Sequence, residues 1–255
     1  MADIVAITRE RHTTRTWQRP TSYTFAAKDP VVALVSQEVP RAMVAMALGF
    51  IERDGATSLV AIQGLKPGQN KFVSPEGRWL GDYIPAVYRV QPFKLARDQK
   101  SAEILCIDEL AGGVSESRHG EPFFLPDGKP SPAISESLKM LGEIESDKCR
   151  TQRACDSIAQ YKLLEPWPLK MQEGEQIIEA NGIMRISEAG LYALEPSALA
   201  ELRDVGGLML AFAQLFSMQQ IHRLAKLSAT ATASPTQTIS NKLTDTHGII
   251  SFANL

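Results

Sequence analysis

The chain has 255 residues, 44% of them hydrophobic and 22% charged, with a net charge of −2; this is the composition of a soluble globular protein large enough to bury a sizeable core in one domain or two closely packed subdomains. That balance excludes a global electrostatic bias toward nucleic acid or anionic lipid, and the four histidines, His12, His119, His222 and His247, lie too far apart for metal-ligand spacing. Three cysteines, Cys106, Cys149 and Cys155, argue against a disulfide framework and for a reducing compartment.

The N-terminal "MADIVAITRERHTTRTW" offers only a short apolar run, without a preceding basic region or a small-residue cleavage site. No cleaved secretory signal is expected, and the expected address is the cytoplasm. The basic arm "RERHTTRTWQR" contains His12 and Trp17, second-rank candidates for a site. A catalytic His12 would need an orienting carboxylate from elsewhere; the ordinary reading is a histidine packed beside an aromatic ring or exposed. The arm lacks any nucleic-acid-binding motif, so no nucleic-acid partner is expected.

From Ser22 to about Leu110 the pattern is strand-like. "SYTFA", "GFIER", "TSLVAIQGL", "NKFV", "AVYRVQPFKLA" and "AEILCIDEL" are short runs rich in β-branched and aromatic residues, separated by "DGAT", "KPGQN", "SPEG" and "RDQK" turn chemistry. They imply an antiparallel, meander-like sheet, with one helical insertion at "PRAMVAMALGF". Cys106 falls in a run that reads as a strand buried on both faces, where a thiol stays protonated and inert. Asp108 and Glu109 end that strand on opposite faces, which favours a turn or cap role over a paired acid/base role.

Residues 112–132 read as a loop packed through Phe123 and Phe124. Ser131 to Leu164 turns helical on the spacing of Ile134, Leu138, Leu141 and Ile144, either as two helices or as one long kinked helix with a polar break near Ser146-Asp147. On one continuous helix Cys149 and Cys155 would be rotated by roughly 240°, so they cannot share a zinc ion, and burial of at least one is expected. "EPWPLK" reads as a loop, "NGIMRIS" as a returning strand, "EAGLYAL" as a helix, and Pro196 to about Leu227 as a further helix built on the apolar block "LMLAFAQLFSM". That block is about half the length needed to cross a bilayer, so it reads as a buried helix and no transmembrane segment is expected. Beyond Ser228 a Ser/Thr/Ala-rich flexible tail is expected; its final "GIISFANL" is apolar enough to dock as a strand on the body or on a neighbouring molecule, a route to a homo-oligomer. Strands first and helices second make the fold class α+β: a single domain over 1–227, strand-rich at 20–110 and helix-rich at 131–227, with the tail at 228–255.

The chemistry concentrates in "GLKPGQNKFVSPEGRWLGDYIPAVYRVQPFKL", Gly64 to Leu95. Arg78, Trp79, Asp82, Tyr83, Arg89 and Phe93 fit an aromatic and guanidinium-lined pocket, because a guanidinium grips a carboxylate or phosphate in a fork and an aromatic face stacks a planar or sugar ligand. The alternative makes Trp79 and Phe93 core anchors, pairs Arg78 with Asp82, and leaves the glycines and prolines as turn-formers. The chain has no phosphate-binding loop, no dinucleotide fingerprint and no nucleophile elbow, so no catalytic constellation, cofactor or metal is expected.

The same stretch, together with "RHTTRTW", "SYTFAAKDPVVALVSQEVPRA", "ILCIDE", "GEPFFLPDGKPSP", "RTQRACDSIA", "LLEPWPLK" and "LRDVGGLMLAFAQLFSMQQ", resembles the bacterial SapC family in order, from about His12 to Leu227. The chain has "AMVAMALGF" where the family commonly carries a Pro-Ile-Val-Phe-like strand entry. The resemblance implies a link by name to the surface layer or its export machinery and carries over no catalytic residue. Family members tend to be encoded near outer-membrane receptors and flavin-dependent halogenase-like proteins, which implies an envelope-related or flavoprotein-like protein partner. Three functions stay open: an accessory or binding protein for a small-molecule ligand or protein partner, an enzyme subunit working with a flavoprotein-like partner, and a structural surface-layer component.

Overall fold

The computed structural model describes residues 3–97, 103–111, 113–116, 119–173 and 176–232. In the first half the elements are β1 (Ile4–Ala6), α1 (Arg9–His12), β2 (Thr16–Trp17), β3 (Val31–Ala33), α2 (Val39–Ala42), β4 (Leu48–Arg53), β5 (Ala56–Ile62), α3 (Ala86–Arg89), β6 (Phe93–Arg97), β7 (Glu103–Asp108) and β8 (Glu121–Pro122). The second half holds α4 (Pro132–Gln160), β9 (Leu164–Pro166), β10 (Leu169–Glu173), β11 (Gln176–Ala180), β12 (Met184–Ile186), α5 (Glu188–Tyr192), α6 (Pro196–Asp204), α7 (Gly207–Ser217) and α8 (Ile221–Thr232). The class is α+β, with antiparallel sheets and with strands mostly in the N-terminal half.

The main sheet runs β3-β5-β4-β12-β9, and a smaller one runs β1-β7-β6. β4 and β5 form the hairpin that "DGAT" foretells: Asp54 and Gly55 both take positive φ, 53° and 76°, the paired left-handed conformation of a two-residue hairpin turn. Leu59 to Ile62 are buried consecutively, so both faces of β5 are covered. α4 and α7 pack on this sheet, and Phe72, Trp79 and Tyr88 from the 64–95 stretch join the same core. A second core gathers Trp17, Val90, Phe93, Ile107 and Phe123 under the N-terminal half of α4, whose C-terminal half sits in the main core through Ala154, Cys155 and Ile158.

Several segments differ from the sequence expectation, each for a physical reason. "SYTFA" is a 3-10 turn at Thr24–Ala26, and "NKFV" is turns with one bridge from Val73 to Trp79; their aromatics serve a side-chain cluster instead of a ladder. "AVYRVQPFKLA" divides into α3 and β6 around Pro92, which cannot donate to a ladder. In "PRAMVAMALGF" only Val39–Ala42 is helical; from Leu48 the chain enters β4, because pairing with β5 outweighs the helix propensity of its alanines and methionines. Gly49 lets β12 approach, since a Cβ there would sit 2.8 Å from the Ile183 side chain. "EPWPLK" carries β9 and the start of β10 instead of a loop; Pro166 is tolerated because β9 is a sheet edge.

α4 is one continuous helix through Ser146-Asp147. The polar residues there face inward: buried Asp147 accepts the Gln37 N–H at 2.7 Å through Oδ2, and Thr151 Oγ1 accepts the Ser36 N–H at 2.8 Å. Together they cap the short 3-10 turn Ser36–Glu38. The expected helix from Pro196 to Leu227 is broken into three by Gly206, at φ 84°, and by a 3-10 turn at Met218–Gln220. α7 carries the buried apolar block, and its polar residues stitch two strands together: Gln214 Oε1 accepts the Ile186 N–H at 2.9 Å and Ser217 Oγ accepts the Leu48 N–H at 2.9 Å. Helix α8 continues to Thr232, and residues 233–255, with "GIISFANL" and its expected docking, lie outside the described residues. Among the described residues no helix is long and apolar enough to cross a membrane.

Candidate binding cleft

The six first-rank residues do not form one pocket. Trp79 lies flat on Phe72, with ring centroids 5.6 Å apart, and meets Tyr88 edge-on at 5.9 Å; its indole N–H donates to the Tyr83 carbonyl at 2.9 Å. It is a packing anchor. Phe93 belongs to the second core, edge-on to Trp17 at 4.6 Å. Arg78 is exposed, and the expected Arg78–Asp82 pair does not form: the Asp82 carboxylate accepts from Arg223 on α8 at 2.7 Å. Tyr83 and Arg89 remain, and they face each other. The Arg89 guanidinium lies 5.8 Å from the Tyr83 ring centroid, donates to the Ile84 carbonyl at 3.1 Å and reaches the Tyr83 hydroxyl at 3.4 Å.

Both residues face α4 across a row of three cavities. The first, about 290 Å³, is lined by Trp17, Phe25, Tyr88, Arg89, Phe93 and Ser137 among others. The second, about 330 Å³, has Gln37, Arg41, Tyr83, Arg89, Met140 and Ile144 in its wall. The third, about 380 Å³, is mostly aliphatic, with Ala33, Leu34, Val35, Leu59, Val87 and Ile144 in its wall and Lys148, Cys149, Thr151 and Gln152 from α4. Arg89 is common to the first two; Val35, Glu38, Ala86 and Ile144 are common to the last two. Ser137, Met140, Ile144, Lys148, Thr151 and Cys155 step three or four residues apart, so one stripe of α4 floors the whole row. At 1.5 Å per residue that stripe is roughly 27 Å long.

The family model for SapC matches residues 7–224. The chain belongs to the SapC family. No curated protein and no solved structure matches the chain. The family therefore fixes kinship, and the chemistry of this SapC chain rests on its own geometry.

At the centre of the cleft is Glu38, which is buried and fully engaged. Its Oε1 accepts the Val35 N–H at 2.9 Å; its Oε2 accepts the Tyr83 O–H at 2.8 Å and the Ala86 N–H at 2.7 Å. Burial first, and then the neighbouring Glu38 charge, push the Tyr83 hydroxyl well above its ordinary range, so it is a neutral donor at physiological pH. Tyr88 is held protonated in the same way, by burial and by Asp29, its hydroxyl lying 2.9 Å from Gln63 Oε1 and 3.1 Å from Asp29 Oδ2. Neither tyrosine is set up as an acid or a base.

The second-rank pair lies in the small core of this SapC chain. Trp17 reaches the first cavity, with Arg19 over its ring at 5.9 Å, and its buried indole N–H has no hydrogen-bond partner among the described residues. His12, wholly buried and 4.7 Å from the Phe123 ring, does meet a carboxylate from elsewhere: Glu109 Oε1 is 3.2 Å from Nε2, without the alignment of a hydrogen bond. Burial lowers the His12 pKa, whereas the bidentate Arg11 fork, at 2.7 and 2.8 Å, lowers that of Glu109. The result is a neutral imidazole beside a carboxylate committed to Arg11 and Arg15, a structural arrangement. Glu109 thus ties the N-terminal arm to β7, a role that the strand-end reading of Asp108 and Glu109 does not contain.

Cys155 is buried, and burial pushes its thiol up to about 11; Cys106 is raised for the same reason. Cys149 is exposed at the third cavity. Among the described residues no group of His, Cys, Asp and Glu is placed to hold a metal ion. Sequence reading missed Arg41 and the α4 stripe, because Ser137, Met140, Lys148 and Gln152 look like ordinary helix-surface residues until α3 is laid against them.

Proposed function

We propose that this SapC protein is a non-enzymatic accessory or binding protein, cytoplasmic, whose ligand lies in the cleft between α4 and the 83–93 segment. The observation that carries the reading is the place of Arg89, a guanidinium in the wall of two adjoining cavities. A guanidinium flanked by aromatic and aliphatic walls orients an anionic group while apolar surface supplies affinity. The link to the cell envelope comes with the family name, and the ligand is in this reading what couples the protein to that system.

The test is ligand-detected NMR with a library of small carboxylates and phosphates on wild type and on Arg89→Ala. Binders whose signal vanishes with Arg89→Ala support the cleft. A set of binders indifferent to both Arg89→Ala and Tyr83→Phe rejects it.

A further inference from the structure

We propose that the cleft ligand is an amphiphile, an unbranched aliphatic monocarboxylate. Its chain occupies the cavity walled by Leu34, Val35, Leu59, Val87 and Ile144, and its carboxylate lies between Arg41 and Arg89. The inference rests on the cleft reading and adds the ligand class.

Three observations converge on this ligand. Among the described residues the third cavity has no aromatic ring in its wall, and Leu34, Val35 and Leu59 there are buried aliphatic side chains, so it suits a flexible chain and not a stacked ring. It shares Val35, Glu38, Ala86 and Ile144 with the second cavity, so apolar and cationic surroundings lie side by side. The second cavity holds two guanidinium groups, and Arg41 makes no ion pair or hydrogen bond among the described residues.

Two carboxylates, Glu38 and Glu143, line the same cavity and offset part of this field, but neither pairs with Arg41 or Arg89 among the described residues. Glu38 already accepts three hydrogen bonds. Glu143, on the rim, is exposed, with Lys139 at 4.0 Å. Lys148, at the far end of the chain cavity, is engaged with Glu145 at 2.7 Å, so the free cationic charge sits at the opposite end, on Arg41 and Arg89.

The experiment titrates the full-length protein with monocarboxylates from butanoate to dodecanoate, each below its micellar concentration. Calorimetry reads affinity, and mass spectrometry reads alkylation of Cys149, the exposed thiol on the chain cavity. Affinity should rise about fourfold per methylene until the cavity is full, and decanoate but not butanoate should slow Cys149 alkylation. Arg41→Ala and Arg89→Ala should each weaken binding at every chain length by about tenfold. Val87→Trp, at a partly exposed position on the cavity wall, should flatten the chain-length dependence while leaving the melting temperature near wild type.

Affinity independent of chain length, or an unprotected Cys149, overturns the aliphatic ligand. If short carboxylates still bind and still need Arg89, the cleft reading survives that failure; if nothing binds, both fall. Binding to anionic phospholipid vesicles without binding to monomeric decanoate also overturns the proposal, in favour of a membrane headgroup.

Discussion

The two cores treat buried polar groups differently. In the main core Glu38, Asn70, Asp147, Thr151, Gln214 and Ser217 are all hydrogen-bonded, most of them to backbone groups far away in sequence; among the described residues Gln63 Nε2, and Gln69 Oε1 nearby, are the buried atoms left without a partner. Their polarity serves to lock segments in place. In the small core His12 Nε2 and Trp17 Nε1 are buried without such partners among the described residues, and the main anchoring device, Glu109 with Arg11 and Arg15, lies toward its surface. The small core is also built from far fewer buried apolar side chains, so it should open first.

The largest effect expected is at Glu38. Glu38→Ala leaves the N–H groups of Val35 and Ala86 and the Tyr83 hydroxyl without acceptors in a buried setting, and should cost about 3–5 kcal/mol in urea unfolding. Glu109→Ala in the small core should cost less, about 1–2 kcal/mol, since its partners Arg11 and Arg15 are partly exposed. Equal losses would erase the distinction between the cores.

The pH dependence sharpens the same contrast. His12 has a lowered folded pKa, so as pH falls through the ordinary histidine value near 6.5 the unfolded chain takes up a proton that the folded chain resists. Stability is therefore full above that pH and declines below it, at no more than about 1.4 kcal/mol per pH unit for this group. Glu109, also lowered, adds its loss at more acid pH, as it protonates in the folded state. Melting curves between pH 7.5 and 5 should slope in wild type and be flatter in His12→Gln. An unchanged slope would mean that His12 is not the group that titrates.

How far all this was legible follows from what each segment's neighbours do. Asp54-Gly55 dictates its own hairpin, so β4 and β5 could be read directly; the class could be read from the order of elements. Pro166 and Pro168 hid β9 and β10, because an edge strand tolerates what a central one does not. Trp79 and Phe93, fourteen positions apart in one motif, part into different cores, which no local pattern encodes. Of the expected site residues, Arg89 and Tyr83 share the wall of one cavity, and Asp82 finds its partner about 140 residues away on α8, a distance along the chain that sequence spacing does not span.

The thiols give a subtler comparison. Cys149 should be alkylated first in the native protein, being the exposed one; in mild urea Cys106 in the small sheet should react before Cys155, whose burial in the main core holds its thiol near 11. Simultaneous reaction of Cys106 and Cys155 would show that the two cores open as one.

The smallest effect is expected at Asp82. Asp82 is 75% exposed and its partner Arg223 38%, so their 2.7 Å bridge stands in solvent, where such pairs are worth about 0–1 kcal/mol and less in salt. Arg223 also donates to the Ala45 carbonyl at 3.2 Å, so removing the carboxylate does not free it altogether. Asp82→Asn should therefore lower the melting temperature by no more than about 4 °C at low salt, and the difference should shrink as ionic strength rises. A loss comparable to that of Glu38→Ala would mean that α8 is held to the 79–83 segment by charge. Leu224, buried in the main core, is instead what ties α8 to the body.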